Sequence, residues 1–436
     1  MALRTFDRWM AGDIKQMPRS ATCRVLEHLF REPADGLFLD LSAAAAPAAG
    51  HLSPLPEALS ALAVPTSAVW APAVPRSAEQ FRAGFVSEGS ADMASVSPLP
   101  ADSDDPLTII TRINRLTRSN ADGAFLARME KQLASIVARY EACGPQQLAR
   151  EARLARQVLH DVLEGQQTPR IRAELFRLAS QAAGLLGYMA VNSGADFDLV
   201  DAYCTEAETL ALEIGDVSVQ MWASGTRSLG LYYQKRYADA DAAACSGIAL
   251  APQNAQAIRL LVNGRSRALA RLGDRAGAEQ AIGQALELSG RQASLPGGLT
   301  SCISFEPYSP ARTLANAITA RLSLGDTSAV LADARQIQDL IVCSNSPWSQ
   351  ALVSLDVATA LLQQKKAPEV EQAMALGRKA LRTGSTAPIK SVWQRANELL
   401  HSARKWRQQA QVREYAEELR TWRSQPQAEP IVVGSR

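Results

Sequence analysis

Blocks of helical period recur along this chain, each folded back on itself around a short turn. "LGLYYQKRYADADAAACSGIALAP" carries Leu229, Gly230, Tyr232, Tyr233, Tyr237, Ala240 and Pro252. The next block, "RSRALARLGDRAGAEQAIGQALELS", carries Leu269, Gly273, Asp274, Ala278, Ile282, Ala285 and Leu286. A third, "AITARLSLGDTSAVLADARQI", repeats the Leu-Gly-Asp turn at 324–326. Earlier, Leu186 and Gly187 begin a block that ends in "LALEIGD"; later, one starts at Trp348 and runs through "ALLQQKKAPEVEQAMALGRKAL". Within each block apolar residues return every three and four positions. Each reads as two antiparallel helices, and no such pair can bury its apolar face alone. Successive pairs must therefore stack.

The small residues Ala240 and Ala278 let paired helices cross closely. In the third block Val330 stands where that small residue is expected, which leaves its register open. The turn of the first block reads a residue or two short. The Leu-Gly, Tyr, Ala and Pro positions resemble the tetratricopeptide repeat. The expected fold is all-α: a tetratricopeptide-like α-solenoid, a right-handed superhelix of helix hairpins, over residues 107–425. The final helices, "SVWQRANELLHSARKWRQQAQVREYAEELRTW", read as a capping repeat with Arg and Lys on a solvated outer face, and 426–436 as a disordered tail.

Two other zones precede the repeats. Residues 41–106 are rich in Ala, Pro and Ser and cannot bury enough apolar surface to offset their ordering entropy, so a flexible linker is expected. Residues 1–40 contain two helical segments, punctuated by Gly12 and Pro18. "LRTFDRWMAGDIKQMPRSATCRVLEHLF" resembles the back half of a helix-turn-helix domain of the Cro/repressor type. With its Trp9-x-x-Gly12 turn, it is similar in particular to actinobacterial regulators that join such a domain to a long tetratricopeptide region. The resemblance implies that Arg4, Thr5 and Arg8 face DNA. The first two helices of that domain have no counterpart here, so DNA binding is expected only with a completed N-terminal domain. An upstream extension of the reading frame, or a second protein or copy, would complete it; otherwise the protein works through its repeats alone.

Stacked helix pairs leave a concave groove lined by the first helix of each pair. The candidate groove residues are Asn263, Arg267 and Arg271 in the clearest block, Arg227 before it, Tyr188 and Asn192 earlier, and Arg312 and Asn316 later. Asparagine grips a peptide backbone without reading its sequence. Arginine offers a fork to a carboxylate, and tyrosine a stacking face with a polar tip. A protein or peptide partner is expected there, including an acidic tail. "SLPGGLTSCISFEPYSPART", from 294, interrupts the repeat spacing; it either lies in the groove or bridges two stacked pairs.

Enzyme chemistry is not expected. No phosphate loop, Gly-x-Ser-x-Gly elbow or His-Glu-x-x-His motif occurs. The four histidines are far apart, and His160 reads as an interface or surface residue. Glu206 and Glu208 read as solvation. Six scattered cysteines form no CxxC pair, so neither a metal nor another cofactor is expected, and the thiols suit a reducing compartment. A net charge of +2 makes the whole chain no strong magnet for nucleic acid. No run approaches the length of a membrane span, and the N-terminus lacks the apolar core of a signal peptide. A cytoplasmic location without membrane contact is expected, and the sequence also allows a homodimer. The function read from all this is a bacterial transcriptional or developmental regulator whose repeats sense a partner. The alternative is an interaction scaffold without DNA binding.

Overall fold

Glycine and aspartate set the helix boundaries in turn after turn. Gly215, Gly273 and Gly325 take φ of 67°, 83° and 73°, the left-handed region that ends a helix without a Cβ penalty. The aspartates that follow, Asp216, Asp274 and Asp326, cap the next helix by accepting from the backbone N–H of Val219, Gly277 and Ala329 at 3.0, 2.9 and 3.1 Å. In each turn the aspartate N–H also reaches back to a carbonyl of the preceding helix. The turn at 234–236 makes the same backbone bond, from Arg236 to Leu231 at 3.0 Å, with Lys235 in the glycine's place at φ 61°. Its length therefore matches the others, and it is not short.

The structure, a computed structural model, describes residues 105–431 apart from 345, 385, 386, 429 and 430. The helix-turn-helix resemblance over 1–40, with Arg4, Thr5 and Arg8, and all but the end of the 41–106 linker lie outside the described residues. Among the described residues every regular element is a helix, as the periodicity requires.

Helix α1 (Pro106–Leu116) is capped by Asp105 and has no buried residue; Leu107, Ile110 and Leu116 are each more than half exposed. Then come α2 (Gly123–Cys143), α3 (Pro145–Leu163), α4 (Pro169–Ser193), α5 (Phe197–Glu213), α6 (Val217–Tyr233) and α7 (Tyr237–Leu250). Helix α8 is one rod in three stretches: Gln256–Arg259, a π-helical turn at Leu260–Arg265, and Ser266–Leu272. The chain continues with α9 (Arg275–Arg291), α10 (Pro310–Ser323), α11 (Thr327–Val342), α12 (Pro347–Gln363), α13 (Val370–Thr383), α14 (Lys390–Ser402) and α15 (Ala410–Arg423).

From α2 onward each helix packs on its neighbours in sequence, and α4, α6, α8, α10, α12 and α14 also follow one another as a contiguous inner row. Ala240, Ala278 and Val330 are fully buried and each sits four residues past its turn's last residue, bonded to it at 2.9, 3.1 and 3.1 Å. The valine block is therefore in register with the other two.

The inner row closes on itself. Helix α14 packs against α4. Trp348 of α12 meets Tyr140 of α2 edge-on, ring centres 5.0 Å apart, and its Nε1 donates to the Ala387 carbonyl at 2.7 Å. One apolar core accordingly contains Tyr140 and Leu185 from early helices with Val392, Tyr415 and Trp422 from late ones. The final segment is thus more than a solvated cap. Packing also continues beyond residue 425: Ala428 and Ile431 are fully buried, in the stretch expected to be a free tail.

Candidate functional site: an arginine-lined cleft on the inner helices

The inner helices face a cleft of two adjoining pockets, with cavity volumes of about 60 and 260 Å³. They share a wall that includes Tyr233, Arg267, Thr319, Asp356 and Arg395. Of the groove residues read from sequence, Tyr188, Asn192, Asn263, Arg267, Arg312 and Asn316 line the narrow pocket. Arg267 and Arg271 line the wide one. Arg227 does not reach the cleft; it bridges α6 to α5 through Asp201 at 2.5 Å and Glu208 at 2.6 Å.

The π-helical turn explains how α8 contributes so many. Four residues carry an α-helix slightly past a full turn, whereas a π turn falls short of one. Mixing the two keeps Arg259, Asn263 and Arg267 on one line along the inner face. Gly264 lets α8 pack closely on α7 and α6 at this turn, because a Cβ there would stand 2.7 Å from the Ala244 Cβ and 3.1 Å from the Ser228 Oγ.

The polar side chains are held by one another. Asn192 donates to the Tyr140 hydroxyl at 3.0 Å, and Asn263 to the Tyr308 hydroxyl at 3.2 Å. Arg312 donates to the Thr300 carbonyl at 2.7 Å and the Ser349 hydroxyl at 2.9 Å. Arg271 pairs with Glu398 at 2.8 Å, and Arg395 with the buried Asp356 at 2.8 Å. Arg267 donates to Asn263 and lies over the Tyr232 ring, 4.3 Å from its centre. Burial pushes the Tyr232 hydroxyl up, yet Arg267, Arg271 and Arg395 together pull it below the ordinary tyrosine value. The potential in this part of the cleft is therefore positive.

Residues 301–308 lie across the inner face. Trp222 Nε1 donates to the Ser304 carbonyl at 2.8 Å, and Gln256 Nε2 to the Phe305 carbonyl at 2.5 Å. The Phe305 ring sits 4.5 Å from that of Trp222, and Ile303 and Tyr308 are fully buried. Of the two placements the sequence allowed for this insert, the chain adopts the one in the groove. Two side chains of inner helices hold consecutive backbone carbonyls of a non-helical segment, a contact that reads no sequence.

No protein-family model matches this chain, and no curated protein matches it. The site therefore rests on its own geometry.

Asp356, Arg395, Glu398 and Tyr232 are cleft residues that the sequence reading passed over. Asp356 had a signal: it is the one charge in "ALVSLDVATALL", an otherwise apolar helix, and such a charge is buried only when paired. Arg395 belongs to the Arg and Lys residues read as an outer solvated face; ring closure turns it inward, together with Glu398, which the sequence pattern did not single out. Glu206 and Glu208 are likewise more than solvation. Glu206 lies 2.6 Å from Arg156 and 2.8 Å from His160, and Glu208 meets Arg227, so both tie outer helices to their neighbours. Among the described residues no three His, Cys, Asp or Glu side chains gather at metal-binding distance, and no helix is long and apolar enough to cross a membrane.

Proposed function

We propose that this chain is a recognition protein built on tetratricopeptide-like repeats, which senses a protein or peptide partner through the cleft of its inner helices. The carrying observation is convergence: seven residues from α4, α8 and α10, chosen by their helical register alone, meet at one cleft. The repeated turns with their shared backbone bonds, and the buried small residues at the crossings, support the repeat reading. The grip of Trp222 and Gln256 on carbonyls of residues 304 and 305 supports the peptide reading, since it shows donors suited to extended chain.

The resemblance of residues 3–30 to a repressor-type domain supports a role for this recognition in transcriptional or developmental control, with a completed DNA-binding head as its output. The rival is a scaffold that never contacts DNA. Panning a random peptide display against the immobilised full chain tests the recognition step. Peptides enriched by the wild type and lost with Asn263→Ala plus Arg267→Ala support it, and the absence of any enrichment defeats it. A gel shift of the chain, alone and extended upstream, decides between regulator and scaffold.

A further inference from the structure

The charges lining the two pockets do not balance. Four guanidiniums face them, those of Arg267, Arg271, Arg312 and Arg395, against three carboxylates, those of Glu141, Asp356 and Glu398; His401 also lines the wide pocket. Arg271 and Arg395 have direct ion pairs, and Arg312 has Glu141 near enough for their charges to interact. Arg267 is left over. It is 4% exposed, its Nε has no hydrogen-bond partner, and among the described residues no carboxylate makes an ion pair with it; Asp356, near enough for the two charges to interact, is already paired with Arg395. Behind it Arg259 is buried too, with Nε and Nη1 unpartnered.

An uncompensated buried guanidinium costs several kcal/mol of desolvation, which aromatic faces offset only in part. Selection for stability alone would replace it by a hydrophobe. Arg267 stands on the wall shared by both pockets, where an anion entering through the wide one would meet it. The narrow pocket beyond has an apolar side formed by Leu229, Ile303, Ala315, Leu352 and Val353, facing a polar side that includes Arg312 and Asp356. It has room for about four water-sized groups, the size of a small branched hydrocarbon.

We infer that the cleft takes a ligand carrying a single carboxylate and a small apolar end, with the carboxylate seated on Arg267 and the apolar end in the narrow pocket. This rests on the cleft being the recognition site proposed above. Two sources share that chemistry, the C-terminus of a peptide and a free organic acid. Bidentate, charge-assisted bonds from a desolvated guanidinium give the carboxylate its affinity. An amide in its place has only one acceptor and no charge.

The test uses the full chain and five probes: N-acetyl-L-leucine, its C-terminal amide, the N-acetylated tripeptide Ala-Ala-Leu, the C-terminal amide of that tripeptide, and isovalerate. Calorimetric titration and thermal shift should show saturable binding of an acid, at least about tenfold weaker for the amide. Arg267→Met should weaken the acid to the level of the amide, without lowering the melting temperature of the unliganded protein. The acid-against-amide comparison needs no variant, so it decides the matter even if Arg267→Met fails to fold. Equal binding of acid and amide, undiminished acid binding by Arg267→Met, or no saturable binding of any acid up to the order of 10 mM overturns the inference. Binding of isovalerate but not of the tripeptide keeps the carboxylate seat and removes the peptide reading. Equal binding of tripeptide and tripeptide amide does the reverse.

Discussion

The guanidinium carbon of Arg259 lies 4.4 Å from the ring centre of Trp222, deep behind the cleft. Its Nη2 donates to the Thr226 hydroxyl at 3.1 Å, and no carboxylate among the described residues pairs with it. A buried charge without an ion partner is weakly justified by stability, and replacing it with a hydrophobe of similar volume is often neutral or favourable. Arg259→Met is therefore expected to leave the unfolding free energy within about 1 kcal/mol of the wild type, or to raise it. Trp222→Ala removes a fully buried ring and the bond to residue 304, and should cost about 3–5 kcal/mol. Urea denaturation of both variants checks the contrast; a loss above about 3 kcal/mol in Arg259→Met would show that its charge is compensated after all.

Lys235 occupies the left-handed slot that glycine fills in the matching turns, at φ 61°. A residue with a Cβ pays about 1–2 kcal/mol there, and glycine gives part of that back through the entropy of the unfolded chain. Helix α7 also begins at Arg236 without a side-chain cap. Lys235→Gly should stabilise by about 0.5–1 kcal/mol. Adding Arg236→Asp should contribute up to about 1 kcal/mol more through a cap like those of Asp216, Asp274 and Asp326, less what Arg236 gains from Asp239 and Phe197. The melting temperature of the double variant reads the sum; a decrease would mean that the four turns are not equivalent.

These turns also show what could be read in advance. Helical period, turn spacing and the buried positions Ala240 and Ala278 were legible because each is set by contacts within about forty residues. The inner face was legible for the same reason: it follows from register on a helix, which placed Asn263 and Arg267 correctly on the cleft side. Arg227 misled because the same register serves a contact with the preceding outer helix. Ring closure was not legible. It depends on Trp348 reaching Tyr140 and on α14 reaching α4, contacts across some two hundred residues that no local pattern encodes. The inward turn of Arg395 and Glu398 followed from that closure and was missed with it. The π turn in α8 was equally hidden, since "LLVNGR" differs from an ordinary helical stretch only by Gly264.

Gly264 gives that turn a direct test. A methyl group at this position would meet Ala244 and Ser228 inside normal contact distance, and overpacking of this kind costs about 1–3 kcal/mol. Gly264→Ala should therefore destabilise, and should also rotate Asn263 away from the Tyr308 hydroxyl. The ring NMR signals of Tyr308 would shift along with stability. Loss of stability with unchanged Tyr308 signals would separate the packing role of the glycine from its role in aiming α8.

The thiols should differ sharply in reactivity. Cys204 is fully buried in α5, and burial pushes its thiol up to about 12. Cys343, at the end of α11, is exposed. Alkylation of the native protein near neutrality should label Cys343 within minutes and Cys204 only as the protein unfolds. Mass mapping after a timed iodoacetamide pulse reads both sites, and early labelling at Cys204 would show that α5 opens far more often than its packing implies.

Glu141 gives the pH dependence its sign. Burial raises its carboxyl above the ordinary value of about 4.5, and Ser346 and Arg312 pull it back only in part. One of its oxygens, Oε2, is buried without a hydrogen-bond partner. The folded state therefore holds this proton more tightly than the unfolded chain does. The stability contributed by the protonated carboxyl is fully present below about pH 4.5 and is lost as pH rises through the folded value. Glu141→Gln keeps the shape and removes the titration. Relative to that variant, the wild type should be most favoured in acid and should lose ground towards neutrality, where the glutamine form is at least as stable. Urea unfolding of both proteins across this range, with the difference plotted against pH, gives the slope. A difference that rises with pH would mean that Arg312 and Ser346 hold Glu141 as a carboxylate more strongly than burial opposes it.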